Sequence, residues 1–190
     1  MMMRKVGPTC VATTRRVHMV LSNYALTIEE EATCVEVGYQ RQKPYFADPT
    51  KNVNYSEGDL WEMWQHVVCA GSELAFARMV GKYDFTPHYN KWKSELDIPG
   101  FGEIRYSFPP VRGMRYSSRD NDNLVYVLMS DGLCHKTRRV GPDWKGPEYK
   151  AIGWKLGSEC KRDEWRYNDR TWYVPVIYLN SMENLIFNGE

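Results

Sequence analysis

A chain of 190 residues that is 43% hydrophobic and 14% aromatic can bury one substantial core, and its length favours a single domain over two. Its 25 Lys and Arg balance 24 Asp and Glu, so the formal charge of +1 excludes a global attraction to polyanions and leaves phosphate binding to local clusters. Cys10, Cys34, Cys69, Cys134 and Cys160 are odd in number and widely spaced, and no apolar run reaches the roughly 18 residues of a membrane span, which predicts reduced thiols in a cytoplasm and no membrane insertion.

Residues 1–20 read as an N-terminal arm or first strand, with a β-branched and basic stretch from 10 to 21, and residues 21–190 read as one domain. Ser22 or Asn23 can cap a first helix in which Ala25, Ile28, Ala32, Val35 and Tyr39 step by three and four. That spacing predicts a core-facing stripe, with Glu29, Glu30 and Glu36 on the solvent side and a stop at Lys43 and Pro44. Residues 44 to 56 form a loop that closes at Ser56, whose side chain with Asp59 resembles a capping box. A second helix then runs to about Val80, with Leu60, Met63, Val67, Ala70 and Leu74 facing the core. Glu62, His66, Cys69 and Glu73 fall on a neighbouring stripe, which places Glu73 at the margin of a buried face.

After Gly81 the residues turn aromatic and β-branched, and segments 101–108, 124–130, 149–155 and 172–179 are the strand candidates. Pro175 argues for an edge strand or a bulge in the last of them. The predicted class is α+β, with N-terminal helices packed on a mixed or antiparallel sheet.

Four residues between Ser72 and Ser107 carry the most chemistry. Glu73 on the second helix, Asp97 in a turn, and Glu103 and Arg105 on the strand that follows would bring three carboxylates and one guanidinium together. Hard divalent cations are held by a few carboxylate or carbonyl oxygens, with water and substrate phosphate completing the shell, so Mg²⁺ or Mn²⁺ suits this set. The same residues have ordinary roles as well: a solvated helix residue, a turn former before Pro99 and Gly100, and an exposed charge pair. Arg112, Arg115 and Arg119, and separately Lys136, Arg138 and Arg139, form basic clusters near Tyr106, Tyr116 and His135 that suit nucleic-acid phosphates and bases. Zinc is not expected, because His66 with Cys69 and Cys134 with His135 lack paired ligands at short spacing. Asp120 and Asp122 lie in a turn before the strand at Val125, without the glycine and closing glutamate of a calcium loop. The seven tryptophans are expected in the core and its cover.

The succession VGYQRQ, GSELAFARMVGKY, LDIPGFGEIRYS, RDNDNLVYVLMSDG, IGWKLGSE and TWYVPVIYL resembles a group of small bacteriophage and prophage proteins, and through them the PD-(D/E)xK, or restriction-endonuclease-like, nucleases. The resemblance spans residues 21 to 180. It implies a restriction-endonuclease-like core and a metal-dependent DNA nuclease in the cytoplasm of an infected bacterium. Asp97, Glu103 and the Ile104 carbonyl would hold Mg²⁺ or Mn²⁺, Glu73 would orient the water, and Arg105 would contact the phosphate. Two departures stand out. Arg105 occupies the position where these nucleases carry Lys, and a guanidinium does not act as a general base. The step from Asp97 to Glu103, containing Pro99, Gly100 and Gly102, leaves room only for a tight hairpin or a strand bend. The alternative expectation is a catalytically inactive protein of this kind that binds nucleic acid or a host defence protein.

Overall fold

The computed structural model describes residues 14–16, 23–46, 57–88, 96–131 and 147–188. Two long helices precede most of the strands. Helix α1 (Ile28–Phe46) is preceded by β1 (Thr14–Arg16) and β2 (Asn23–Ala25) and followed by α2 (Glu57–Met79). Asn23 does not cap α1 as expected; it opens β2. The cap lies further on, where the Thr27 hydroxyl accepts the Glu30 N–H at 3.2 Å and the Glu30 carboxylate accepts the Thr27 N–H at 3.1 Å. The helix also runs past Pro44, which removes one N–H from its last turn without ending it.

The predicted apolar stripe of α1 faces outward. Ile28 is 68% exposed, and Ala32, Val35 and Tyr39 are exposed too, whereas Cys34, Val37, Gly38 and Gln42 are buried. Gly38 accounts for this rotation. A Cβ there would lie 2.5 Å from Val67 Cγ2 and 2.7 Å from the Val67 nitrogen, so α1 and α2 approach backbone to backbone at this point and bury the Gly38 face. Substituting Gly38→Val should force the helices apart and cost about 1–3 kcal/mol, the usual penalty of overpacking. Denaturant unfolding reads this directly, and an unchanged midpoint would show that the contact is not what fixes the rotation.

From Val67 to Met79 helix α2 is buried almost all round: Val67, Ala70, Leu74, Phe76 and Met79 are each 3% exposed or less. Only an element covered on both sides needs so apolar a surface. Gly81, in the left-handed region at φ 79°, ends the segment. The proposed cap at Ser56 lies outside the described residues.

Next come β3 (Glu103–Tyr106), β4 (Gly113–Ser117), β5 (Val125–Asp131), β6 (Glu148–Leu156), β7 (Arg166–Asn168), β8 (Thr171–Pro175) and β9 (Ile186–Asn188). The main sheet has the order β2-β6-β5-β3, with β3 parallel to β5 and the other pairs antiparallel. A second, antiparallel sheet has the order β4-β8-β7, and β1 pairs with β9. The chain is therefore an α+β fold with mixed and antiparallel sheets.

Strand β8 is central in its sheet and its register with β4 runs unbroken through Pro175, so neither the edge strand nor the bulge expected from that proline is present. The proline is the last residue of β8, opposite Gly113 and beyond the β7 pairing, which covers only Thr171 and Trp172. Its missing N–H therefore removes no bond to β7.

Alternation along β5 builds two cores. Val127 and Met129 join the cluster with α1 and α2, while Tyr126 and Leu128 join Met114, Tyr116, Trp165 and Val174 of the second sheet. The main sheet is thus the middle of three layers. Trp64, Trp154, Trp165 and Trp172 line these cores as expected, and Trp61, Trp92 and Trp144 fall on residues whose side chains are outside the description. No described helix is long and apolar enough to cross a membrane.

Candidate functional site

The step from Asp97 to Glu103 is a tight turn. Ile98 and Gly102 form an antiparallel bridge, the Phe101 N–H donates to the Ile98 carbonyl at 2.9 Å, and Gly100 has φ 76° after Pro99. That is the proline-then-glycine chemistry of a type II turn. Gly102, at φ 132°, lies where a Cβ would come 2.4 Å from the Val125 carbonyl oxygen, so the glycine lets the chain pass close to β5 and start β3.

Asp97 sits at the free edge of β3. Its Oδ2 accepts the Ile104 N–H at 2.8 Å, and among the described residues β3 pairs with no strand on that side. An extended residue points its N–H and C=O to the same side, so the Ile104 carbonyl faces the same edge. Glu103 and Arg105 lie on the face of β3 that carries Tyr126, in register opposite Glu103. Glu73 comes from α2 on the other face. The turn thus places Asp97 at the strand edge, where its charge reaches both Glu73 and Glu103.

Burial pushes the Glu103 carboxyl up to about 7, and charge repulsion from the neighbouring Asp97 adds to the rise; Arg105 opposes it. The Glu73 carboxyl is also pushed up to about 7, first by full burial, against the pull of Arg41 and with smaller contributions from Asp97 and Glu103. Glu73 and Glu103 are therefore both poorly solvated acids that feel the charge of Asp97.

Arg41 on α1 donates to both oxygens of Glu73, at 2.9 and 2.7 Å, and to the His88 carbonyl at 2.9 and 2.7 Å. Residue spacing gave no hint of this fork, because Arg41 lies 32 positions from its partner. Arg105 is anchored by Asp120 at 3.0 Å, lies 3.7 Å from Glu103, and has its guanidinium carbon 5.0 Å from the centre of the Tyr126 ring. Asp120 does hold its turn, accepting the Ser117 N–H at 2.8 Å, but it is also the counterion of Arg105, a role missed in the sequence. Asp122 accepts the Tyr116 hydroxyl at 2.8 Å and pairs with Lys161 at 2.7 Å.

Among the described residues no group of three or more His, Cys, Asp or Glu side chains is arranged to hold a metal ion. Two carboxylates plus a backbone carbonyl still form an oxygen donor set of the kind Mg²⁺ and Mn²⁺ take, with water and phosphate filling the shell. Burial is the main cause of the Glu103 rise, and the smaller part that comes from Asp97 is a repulsion that a divalent cation bound between the two would offset. The Cys34 and Cys69 thiols are pushed up to about 12 by desolvation and are poor nucleophiles.

Arg112, Arg115 and Arg119 are all exposed. Lys136, Arg138 and Arg139, with Cys134 and His135, lie outside the described residues.

No family model matches this chain, and neither a curated protein nor a solved structure proved detectably similar to it.

Proposed function

We propose that this chain is a metal-dependent DNA nuclease of the PD-(D/E)xK kind, hydrolysing phosphodiester bonds in the cytoplasm of a phage-infected bacterium. The reading rests on one observation above all: Asp97, held at the free edge of β3 by the Ile104 N–H, acts by its charge on Glu103 of the same strand, whose carboxyl is raised to about 7. Pairs of acids that repel each other are unfavourable for folding and common where a cation binds. The sequence resemblance named above points to the same residues.

Asp97, Glu103 and the Ile104 carbonyl would hold Mg²⁺ or Mn²⁺, which when bound supplies an activated water and neutralises phosphate charge. Glu73, braced by Arg41, orients the water as a hydrogen-bond acceptor. Arg105 stays protonated and donates to phosphate oxygens, so it stabilises charge and leaves base chemistry to the carboxylates.

The test is cleavage of supercoiled plasmid, linear duplex and single-stranded DNA by the pure protein with Mg²⁺, Mn²⁺ or EDTA. Metal-dependent cutting supports the reading, and its absence on every substrate ends it. A pH dependence goes with it. A proton on Glu103 competes with the cation, so Mn²⁺ affinity measured by calorimetry should rise several-fold between pH 6 and pH 8. Stability of the metal-free protein should move the opposite way. Glu73 and Glu103 titrate near 7 folded and near 4.5 unfolded, so the folded state holds more protons in that window and stability falls as pH rises through it. Metal should therefore raise Tm more at pH 8 than at pH 6, and an equal shift at both would argue against Glu103 as a ligand.

The grip of Arg41 on both Glu73 oxygens supports a second reading, a protein of this kind that binds nucleic acid or a host protein without cutting it. Retained DNA binding with no cleavage in any metal distinguishes it.

A further inference from the structure

We propose that the outer face of the β4-β8-β7 sheet is a stacking platform for single-stranded nucleic acid. Met114, Tyr116 and Val174 point into the core from this sheet, so alternation sends Arg115 and Tyr173 outward. Those two are directly opposite in the β4–β8 register. Tyr167 of β7 completes the face: its ring meets that of Tyr173 edge-on, with centroids 5.4 Å apart. Tyr167 is 72% exposed and Tyr173 45% exposed, so together they present an aromatic patch to solvent.

Charge runs the length of the same sheet. Arg112 lies at one end, where its carbonyl accepts the Val176 N–H at 3.3 Å. Arg119 and Arg170 lie at the other, joined by the Ser118 N–H donating to the Arg170 carbonyl at 2.8 Å. All four arginines are exposed, and among the described residues none of Arg112, Arg115, Arg119 and Arg170 is in an ion pair. Exposed, unpaired arginines at both ends of the sheet and beside Tyr173 at its middle match a strand whose phosphates run beside unstacked bases. A duplex hides its base faces and would use only the charges, so the tyrosines select a single strand. The line ends beside the site: Arg119 adjoins Asp120, the counterion of Arg105. The proposal draws on the nucleic-acid half of the function proposed above and not on the metal.

The test is fluorescence anisotropy of the full chain in EDTA with a labelled oligo-dT 20-mer and a labelled duplex hairpin of equal length. The single strand should bind more tightly than the hairpin. Tyr167→Ala and Tyr173→Ala should each weaken oligo-dT binding roughly 5- to 100-fold, and Tyr→Phe at the same positions should retain it, since the ring and not the hydroxyl does the stacking. Arg115→Gln should weaken both ligands and flatten the salt dependence. Far-ultraviolet circular dichroism of each variant confirms folding. Tyr→Ala variants that bind oligo-dT like wild type, a preference for the hairpin, or no binding of either ligand would overturn the platform. Binding with these signatures in a protein that never cleaves leaves the platform standing and removes the nuclease, whereas cleavage with indifferent Tyr variants does the reverse.

Discussion

Asp97→Asn and Glu103→Gln each lower metal-dependent DNA cleavage by at least about 10²-fold, the scale of a single electrostatic or acid–base group, and neither unfolds the protein. Asn keeps an oxygen that can accept the Ile104 N–H now bound at 2.8 Å, so the turn into β3 survives. Gln removes the charge that burial and Asp97 disfavour at Glu103, so in metal-free buffer at pH 8 that variant is expected to melt at or above the wild-type temperature. Activity lost while stability is kept or gained is what separates a working acid from a structural one. Kinetics and thermal melts on the same preparations check it. Cleavage within a few-fold of wild type, or loss only in step with unfolding, would remove these two residues from the chemistry.

Glu73→Ala behaves differently. It leaves the Arg41 guanidinium, whose side chain is 13% exposed, without its bidentate partner. Stranding one member of a buried pair typically costs about 3–5 kcal/mol, which in a domain of this size is a fall in Tm on the order of 10 °C. Replacing both, Arg41→Met with Glu73→Leu, should recover much of the loss because no charge is then left alone. A thermal double-mutant cycle measures the coupling, and additive single effects would show that the fork contributes nothing as a pair. Loss of cleavage in Glu73→Ala therefore says little by itself, and Glu73→Gln, which keeps an acceptor for Arg41, is the better probe of a role in orienting water.

The parts legible in the sequence were those specified locally. Helix α2 followed from its apolar spacing and ends at Met79, next to the expected Val80. The Pro99-Gly100 turn, β3, β5 and β6 followed from turn residues and β-branched runs close to where they lie. Asp97, Glu103 and Arg105 come together because nine consecutive residues fold on themselves. Contacts between distant segments were not legible. Asp120 reaches the site from the turn after β4, where a linear reading already gave it the role of a turn residue, and Arg41 reaches it from α1, where nothing in the sequence singled it out. The rotation of α1 was missed for a related reason: its apolar stripe was real, but Gly38 against Val67 decided which side met α2. Strand β4 was missed because only Met114 and Tyr116 face inward in its five residues, too few to show alternation.

Strand β5 has one further consequence. Because Val127 and Met129 belong to the core under the helices, and Tyr126 and Leu128 to the core under the second sheet, a single seven-residue segment is the shared wall of both. Neither half can loosen without exposing the back of the other. The helical layer and the outer sheet are therefore bound into one cooperative unit, and heat should release them together, in a single transition, instead of melting one and leaving the other as a stable remnant.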